Sequence, residues 1–434
     1  MPNKQQISMT GNIKWVVAQP LIGGMPIGFQ NAFGCPPAAI ITAGFGNDNH
    51  YIKYLNETHN LNVPIINMET DYETFKSEED EILYNKICKD IDVMMHVAVC
   101  AGLSMLNACN SDCSTKRRGD ADNDQNQNMY NLTKLGMRMN AKVVCFENAP
   151  AAYTKSGEGV VDRLKEIAEG FNYTTQLFKT DTLWHGIPQS RKRTFIMFYR
   201  DTNPALFNFE HKDYVLLSDY LDLVNESMIH YNQNIVDDSK DAWYDFILDY
   251  SKTNTYMEAM KKIAPHKTTW TAQALTDYIG FEKAIEFFEK KFKETQDAKY
   301  TKAIRIANHC IAKIKDNKGY WDSSTYLAND GKFINAVISK NVHRCLHPTQ
   351  ERGLNIRELL HLMGMPHDFE MIEAKKNWNH ISQNVPVKTA TFIGSQIKLY
   401  LEHKLAISKT DFVKQDNIGG RTDVGSIEYL AEEW

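Results

Sequence analysis

The sequence predicts an α/β fold: a doubly wound, mostly parallel sheet with a smaller inserted domain. Three observations carry this. Short apolar runs alternate with amphipathic stretches through residues 1–201, the chain turns aromatic, Lys-rich and helical between Thr202 and Lys340, and amphipathic helix patterns resume beyond it. Such alternation implies parallel strands covered by helices on both faces, with ligands binding at the strand ends.

The strands are expected at Ile13 to Ala18, Ala38 to Ile41, Val63 to Ile66, Val93 to Cys100 and Val143 to Phe146, with a late one at Arg193 to Tyr199. Helical spacing falls between them, at His50 to Glu57, Glu78 to Ile91, Met129 to Met139 and Val160 to Phe171. The inserted domain, 202–340, has its helical centre at Tyr256 to Lys315. Helices at Leu354 to Leu362 and Val387 to Leu405 form a closing part, 341–405, of the first domain, and 406–434 reads as a polar, acidic tail.

At 434 residues the chain is long enough for two cores. A formal net charge of -5 excludes a wholly basic nucleic-acid coat and leaves room for local basic patches. No uninterrupted apolar stretch reaches the ~18 residues of a membrane span, so a soluble, cytoplasmic protein is expected. The eight cysteines are scattered, which favours reduced thiols. Cys109 and Cys113 lack a second ligand pair, so no metal site is expected.

Chemistry should sit just after strands. Cys100 ends an apolar strand and opens the loop Cys100-Ala101-Gly102-Leu103-Ser104, followed by Lys116, Arg117 and Arg118. By itself a Cys in that place is more often an inert core residue. Its partners come in order: Glu147-Asn148 at the end of the next strand, then Gln189-Ser190-Arg191-Lys192-Arg193 leading into the late one. Alternation puts Arg191 and Arg193 on one face, and two guanidiniums together suit an anionic or carbonyl-rich ligand.

Together these runs resemble the cytosine-5 DNA methyltransferase family, whose strand-end Pro-Cys loop, Glu-Asn-Val and Gln-x-Arg-x-Arg motifs occur in this order. The family's late motifs look like Arg357-Glu358 running to Gly364-Met365-Pro366, preceded by His347-Pro348, and Ser382-Gln383-Asn384-Val385-Pro386. The resemblance covers about 13–200 and 341–403 and implies a class I methyltransferase-like Rossmann fold; the gap falls where the family keeps its target-recognition domain. It further implies that Cys100 adds to carbon 6 of a flipped cytosine, that Glu147 assists at ring nitrogen 3, and that Arg191 and Arg193 orient the base. Asn148, Gln189 and Ser104 would support it, and Arg117 and Arg118 would touch phosphates of double-stranded DNA. Single-stranded or looped RNA is the other substrate the chemistry allows, and a monomer is expected. In the inserted domain, Trp243, Trp270 and Trp321 are candidates for meeting bases.

The resemblance weakens at the donor. The family holds S-adenosyl-L-methionine with an Asp-x-Phe-x-Gly-x-Gly turn, an acid at the second strand and a final Gly-Asn. Here only Gly23, Gly24, Gly28 and Phe29 of the first pattern remain, Phe45 stands where the acid belongs with Asp48 a little late, and Ser382-Gln383 replaces Gly-Asn. Val99 replaces the Pro before Cys100. Gly23, Gly24, Phe29, Asp48, Gln383 and Asn384 are the candidates for the donor pocket. Three readings stay open: methyl transfer from S-adenosyl-L-methionine through a divergent pocket, hydroxymethylation from 5,10-methylenetetrahydrofolate, and a non-catalytic DNA-binding homologue.

Overall fold

The computed structural model describes residues 13–98, 103, 121–122, 124–224, 242–265, 269–316, 326–328, 332–337, 345–350, 352–417 and 421–423. The expected strands form as β1 (Trp15–Ala18), β2 (Ala39–Thr42), β3 (Ile65–Asn67), β4 (Val93–His96) and β5 (Val143–Asn148). Beyond them come β6 (Tyr173–Asp181), the short β7 (Gln189–Ser190) and β8 (Lys192–Arg200). Further along are β9 (Thr269–Thr271), β10 (Tyr326–Ala328), β11 (Ile334–Asn335), β12 (Cys345–Leu346), β13 (Phe412–Asp416) and β14 (Arg421–Asp423). A nine-stranded sheet runs β14-β13-β6-β8-β5-β4-β1-β2-β3.

The β1 to β5 pairs are all parallel, but β8 lies antiparallel between β5 and β6. That reversal positions the site, because the start of an antiparallel strand lies at the same sheet rim as the ends of its neighbours. Thr194 accordingly pairs with Asn148, the last residue of β5.

Two parts of the sequence reading are corrected. β6 was not anticipated, its mixed Thr, Gln and Lys content hiding a long strand that is covered on both sides. The polar tail is also a strand in part: β13 pairs with β6 in parallel, and Gln415 is buried with its side-chain carbonyl accepting from Gln176 Nε2 at 2.6 Å. Backbone pairing, a satisfied amide and the burial of Val413 hold that segment.

Helix α1 (Gly24–Phe33) packs on one face of the sheet against α14 (Val387–Leu401), while α3 (Glu78–Ile87), α4 (Asp124–Arg138) and α5 (Glu158–Gly170) cover the other. The short α2 (Asn49–Lys53) follows β2. α1 and α14 approach closely because glycines face small residues: a Cβ on Gly28 would lie 2.4 Å from Ala390 Cβ, and one on Gly394 2.9 Å from Ala32 Cβ.

The inserted lobe begins later than expected. Ala205, Phe207 and α6 (Leu217–Leu221) belong to the same core as the sheet, and Leu206 N donates to Ala406 O at 2.8 Å. The lobe's own core starts at α7 (Ala242–Ser251) and continues through α8 (Tyr256–Ile263), α9 (Ala272–Ile279), α10 (Phe281–Thr295) and α11 (Ala298–Lys315). Trp243 is buried there, edge-on to Phe281 and Phe288, so it packs the core and presents no face to a base. The Trp270 side chain and Trp321 lie outside the described residues. The lobe returns through the small β9-β10-β12 sheet and the β7-β11 pair, then α12 (Ile356–Leu362) and α13 (Ala374–Asn377) lead to α14. Among the described residues no helix is long and apolar enough to cross a membrane.

Candidate active site

The antiparallel β5-β8 register builds the centre. Glu147 pairs with Phe195, so Arg193, two residues along β8, reaches it diagonally on the same face. Arg193 Nε forms an ion pair with Glu147 Oε1; the carboxylate is buried and the guanidinium keeps an exposed edge. Arg193 Nη1 also donates to Lys192 O at 2.8 Å. A carboxylate held between strands and a guanidinium open on one side can together grip a planar ring bearing a carbonyl and an adjacent nitrogen.

β4 runs parallel to β5, with His96 opposite Phe146, and the chain stays buried through Ala98. Cys100 follows two residues later in the sequence. Cys100, Ser104, Arg117, Arg118, Cys109 and Cys113 lie outside the described residues.

Arg191 does not join Arg193. It precedes β8, is almost wholly buried, and its guanidinium donates to Val337 O at 2.9 Å and Ser382 O at 2.8 Å. Gln189 grips the same returning segment, accepting from Val337 N at 3.3 Å and donating to Leu362 O at 3.4 Å. The expectation that both arginines share one face is thereby corrected, because the strand begins only at Lys192. Asp181, which sequence reasoning missed, orders the approach by accepting from Arg191 N at 3.0 Å and Ser190 Oγ at 3.1 Å. Asn148 is enclosed, its side chain accepting from Ala149 N at 2.8 Å.

The closing motif is self-contained. Asn355 and Glu358 form a reciprocal capping box on α12, and Arg357, fully buried, donates to Phe369 O at 2.7 Å and Pro366 O at 3.1 Å, fixing the turn after the helix.

The donor candidates are placed as follows. Gly23, with φ 109, caps α1, and Gly24 N donates to Asn384 Oδ1 at 2.8 Å. Asp48 is fully buried, accepting from Leu21 N at 2.9 Å and Thr42 Oγ1 at 2.7 Å, and burial raises its pKa to about 7. Phe29 is a core residue packed on Trp15 and Phe33, which corrects its assignment to the pocket. Gln383 is exposed. Two buried residues near this rim were also missed by sequence reasoning. Tyr72 donates to Gln19 Oε1 at 3.5 Å, and His96 stacks on Phe146 at 4.5 Å with no hydrogen bond to either ring nitrogen among the described residues. Among the described residues no cluster of metal-ligating side chains occurs.

The model of the C-5 cytosine-specific DNA methylase family matches residues 21–399. A solved structure of a putative DNA modification methyltransferase encoded within an E. coli prophage superposes with TM-score 0.55 at 15% identity, covering 90% of this chain and 100% of that one. A methyltransferase structure from Entamoeba histolytica gives 0.52 at 12% identity, covering 90% and 98%. At such identities the likeness shows the fold, of the class I methyltransferase kind. No curated protein matches the chain.

Proposed function

This chain belongs to the C-5 cytosine-specific DNA methylase family, and we propose that it attaches a one-carbon group to carbon 5 of a cytosine flipped from DNA, with Cys100 as nucleophile. The observation that carries this reading is the ion pair of buried Glu147 with part-exposed Arg193 at the rim where β4 ends, shortly before Cys100 in the sequence.

Carbon 5 of cytosine is a weak nucleophile. In the proposed reaction Cys100 Sγ, as thiolate, adds to carbon 6, and the electrons of the 5,6 double bond move so that carbon 5 can take the one-carbon group of a donor. The bond from that group to the rest of the donor breaks, its electron pair leaving on the donor. Charge delivered to the ring is relieved at nitrogen 3, where Glu147 shares a proton, while Arg193 donates to the ring carbonyl. Loss of the carbon 5 proton to a base then expels the thiolate and restores the ring. The target must leave the duplex stack for Sγ to reach carbon 6. The lobe from α7 to α11, with the segment returning through β11, is the proposed reader of the DNA sequence.

DNA containing 5-fluorocytosine in place of cytosine tests this, because fluorine cannot leave carbon 5 as a proton does. A denaturation-resistant protein–DNA adduct should form in cells expressing the wild type and be lost in Cys100→Ala. Modified cytosine appearing at the wild-type level with Cys100→Ala, measured by mass spectrometry of nucleosides, would refute the thiolate mechanism.

The family implies S-adenosyl-L-methionine as donor. The residues that should hold it fit that group poorly in the arrangement found: Phe29 is inside the core, and Asp48 and Asn384 are buried, with their side-chain oxygens already accepting bonds from Leu21 N, Thr42 Oγ1 and Gly24 N.

A further inference from the structure

We infer that the glycine turn leading into α1 is latched shut by the chain's own side chains, so that a sulfonium nucleoside has to break buried bonds to enter. The inference rests on the proposed function, since a donor pocket matters only if a group is transferred.

The backbone amides of the turn are the first argument. Gln19 N donates to Ile41 O at 2.9 Å, Leu21 N to Asp48 Oδ1 at 2.9 Å, Gly23 N to Pro20 O at 3.1 Å and Gly24 N to Asn384 Oδ1 at 2.8 Å. Pro20 has no amide hydrogen to offer. A donor's carboxylate would ordinarily be received by amides at the head of a helix, and the Gly24 amide there is already paired with Asn384.

The side chains give the second argument. A ribose diol calls for an acceptor such as a carboxylate, but Asp48 is fully buried, each of its oxygens already accepts a bond from within the protein, and burial raises its pKa to about 7. Across the rim, the Tyr72 hydroxyl is tied to Gln19, and both residues are buried.

Space and backbone shape make the third. A Cβ on Gly24 would lie 2.1 Å from Val385 O, and one on Gly23 would lie 2.7 Å from Tyr51 Cδ2, so both glycines serve contact with the protein itself. Gln19 and Leu21 hold left-handed conformations, with φ 51 and 53, that side-chain-bearing residues disfavour. Such strain persists where surrounding bonds over-determine it, and the backbone bonds to Ile41 and Asp48 do so here.

Displacing two of these bonds corresponds to about a hundredfold in affinity. Equilibrium binding of radiolabelled S-adenosyl-L-methionine to the purified full-length protein tests the latch, with Tyr72→Phe and Asn384→Ala as variants and circular dichroism as the check on folding. Tyr72→Phe keeps the ring and removes the Gln19 tie; Asn384→Ala releases the Gly24 amide. Weak binding by the wild type, strengthened in both variants, is expected, and affinity unchanged in both would show that these bonds do not hold the turn shut. Low-micromolar binding by the wild type, or a loss of binding in folded Asn384→Ala, would overturn the latch by making these residues donor ligands. The binding assay reads the latch alone, whereas the 5-fluorocytosine adduct needs both addition of Cys100 and transfer of the one-carbon group, so its absence would instead remove the proposed function.

Discussion

Arg191 Nη1 donates to the carbonyl of Val337 at 2.9 Å, joining the loop before β8 to the segment that returns from the inserted lobe. The same guanidinium holds Ser382 in the closing part, so one side chain ties together three stretches far apart in sequence. Gln189 adds a second hold on Val337. The lobe proposed to read DNA is thereby fastened beside the strand that carries Arg193.

Arg191→Lys should expose this role, because an ammonium keeps the charge but cannot span two carbonyls with a planar fork. A loss of about 2 kcal/mol is expected from the charge-assisted bonds, with a fall in melting temperature and a larger KM for DNA. A variant of unchanged melting temperature but much reduced kcat would instead put Arg191 in contact with the base.

Glu147→Gln should lower the single-turnover rate about a hundredfold or more, the scale of lost general acid–base assistance. DNA affinity, measured by fluorescence anisotropy, should barely move. Weak DNA binding with an undiminished rate would return Glu147 to a purely structural role as the partner of Arg193.

Gly28→Ala should separate α1 from α14. Its Cβ would lie 2.4 Å from Ala390 Cβ and 2.7 Å from both Thr391 N and Val387 O, and backbone atoms cannot swing aside. Overpacking of this kind destabilises by about 1–3 kcal/mol. Gly46→Ala, where a Cβ would meet nothing within 4 Å, is the control and should melt like the wild type.

Stability should fall on acidification below about pH 6.5, the ordinary histidine pKa. Burial lowers His96 and His185 to about 3 and His50 and His361 to about 4, so the unfolded chain takes up these protons first. Their contribution is complete above the unfolded value and is lost as pH drops towards the folded ones. Asp48 acts oppositely: with its pKa raised to about 7, it contributes stability below the unfolded carboxylate value that is lost as pH rises through 7. Four groups outweigh one, so urea midpoints should decline between pH 6.5 and 4, and a flat profile there would contradict the burial of these imidazoles.

The sequence by itself determined the alternation of strands and helices, the order of the chemical motifs and the family they resemble, because apolar periodicity and strand-end residues are local properties. Glu147 and Arg193 were legible as partners from their motifs. Only the tertiary structure decided that they pair across an antiparallel β8, that Arg191 turns away to hold Val337 and Ser382, and that Phe29 faces the core. The strand at Phe412–Asp416 was hidden for the same reason: beyond the burial of Val413, what pairs it with β6 is a backbone ladder and a buried amide contact, neither of which leaves an apolar pattern. The donor turn is the clearest division, since the sequence shows which letters are missing, while the bonds from Asp48, Asn384 and Tyr72 that fill the turn come from residues up to 360 positions away and exist only once the chain has folded.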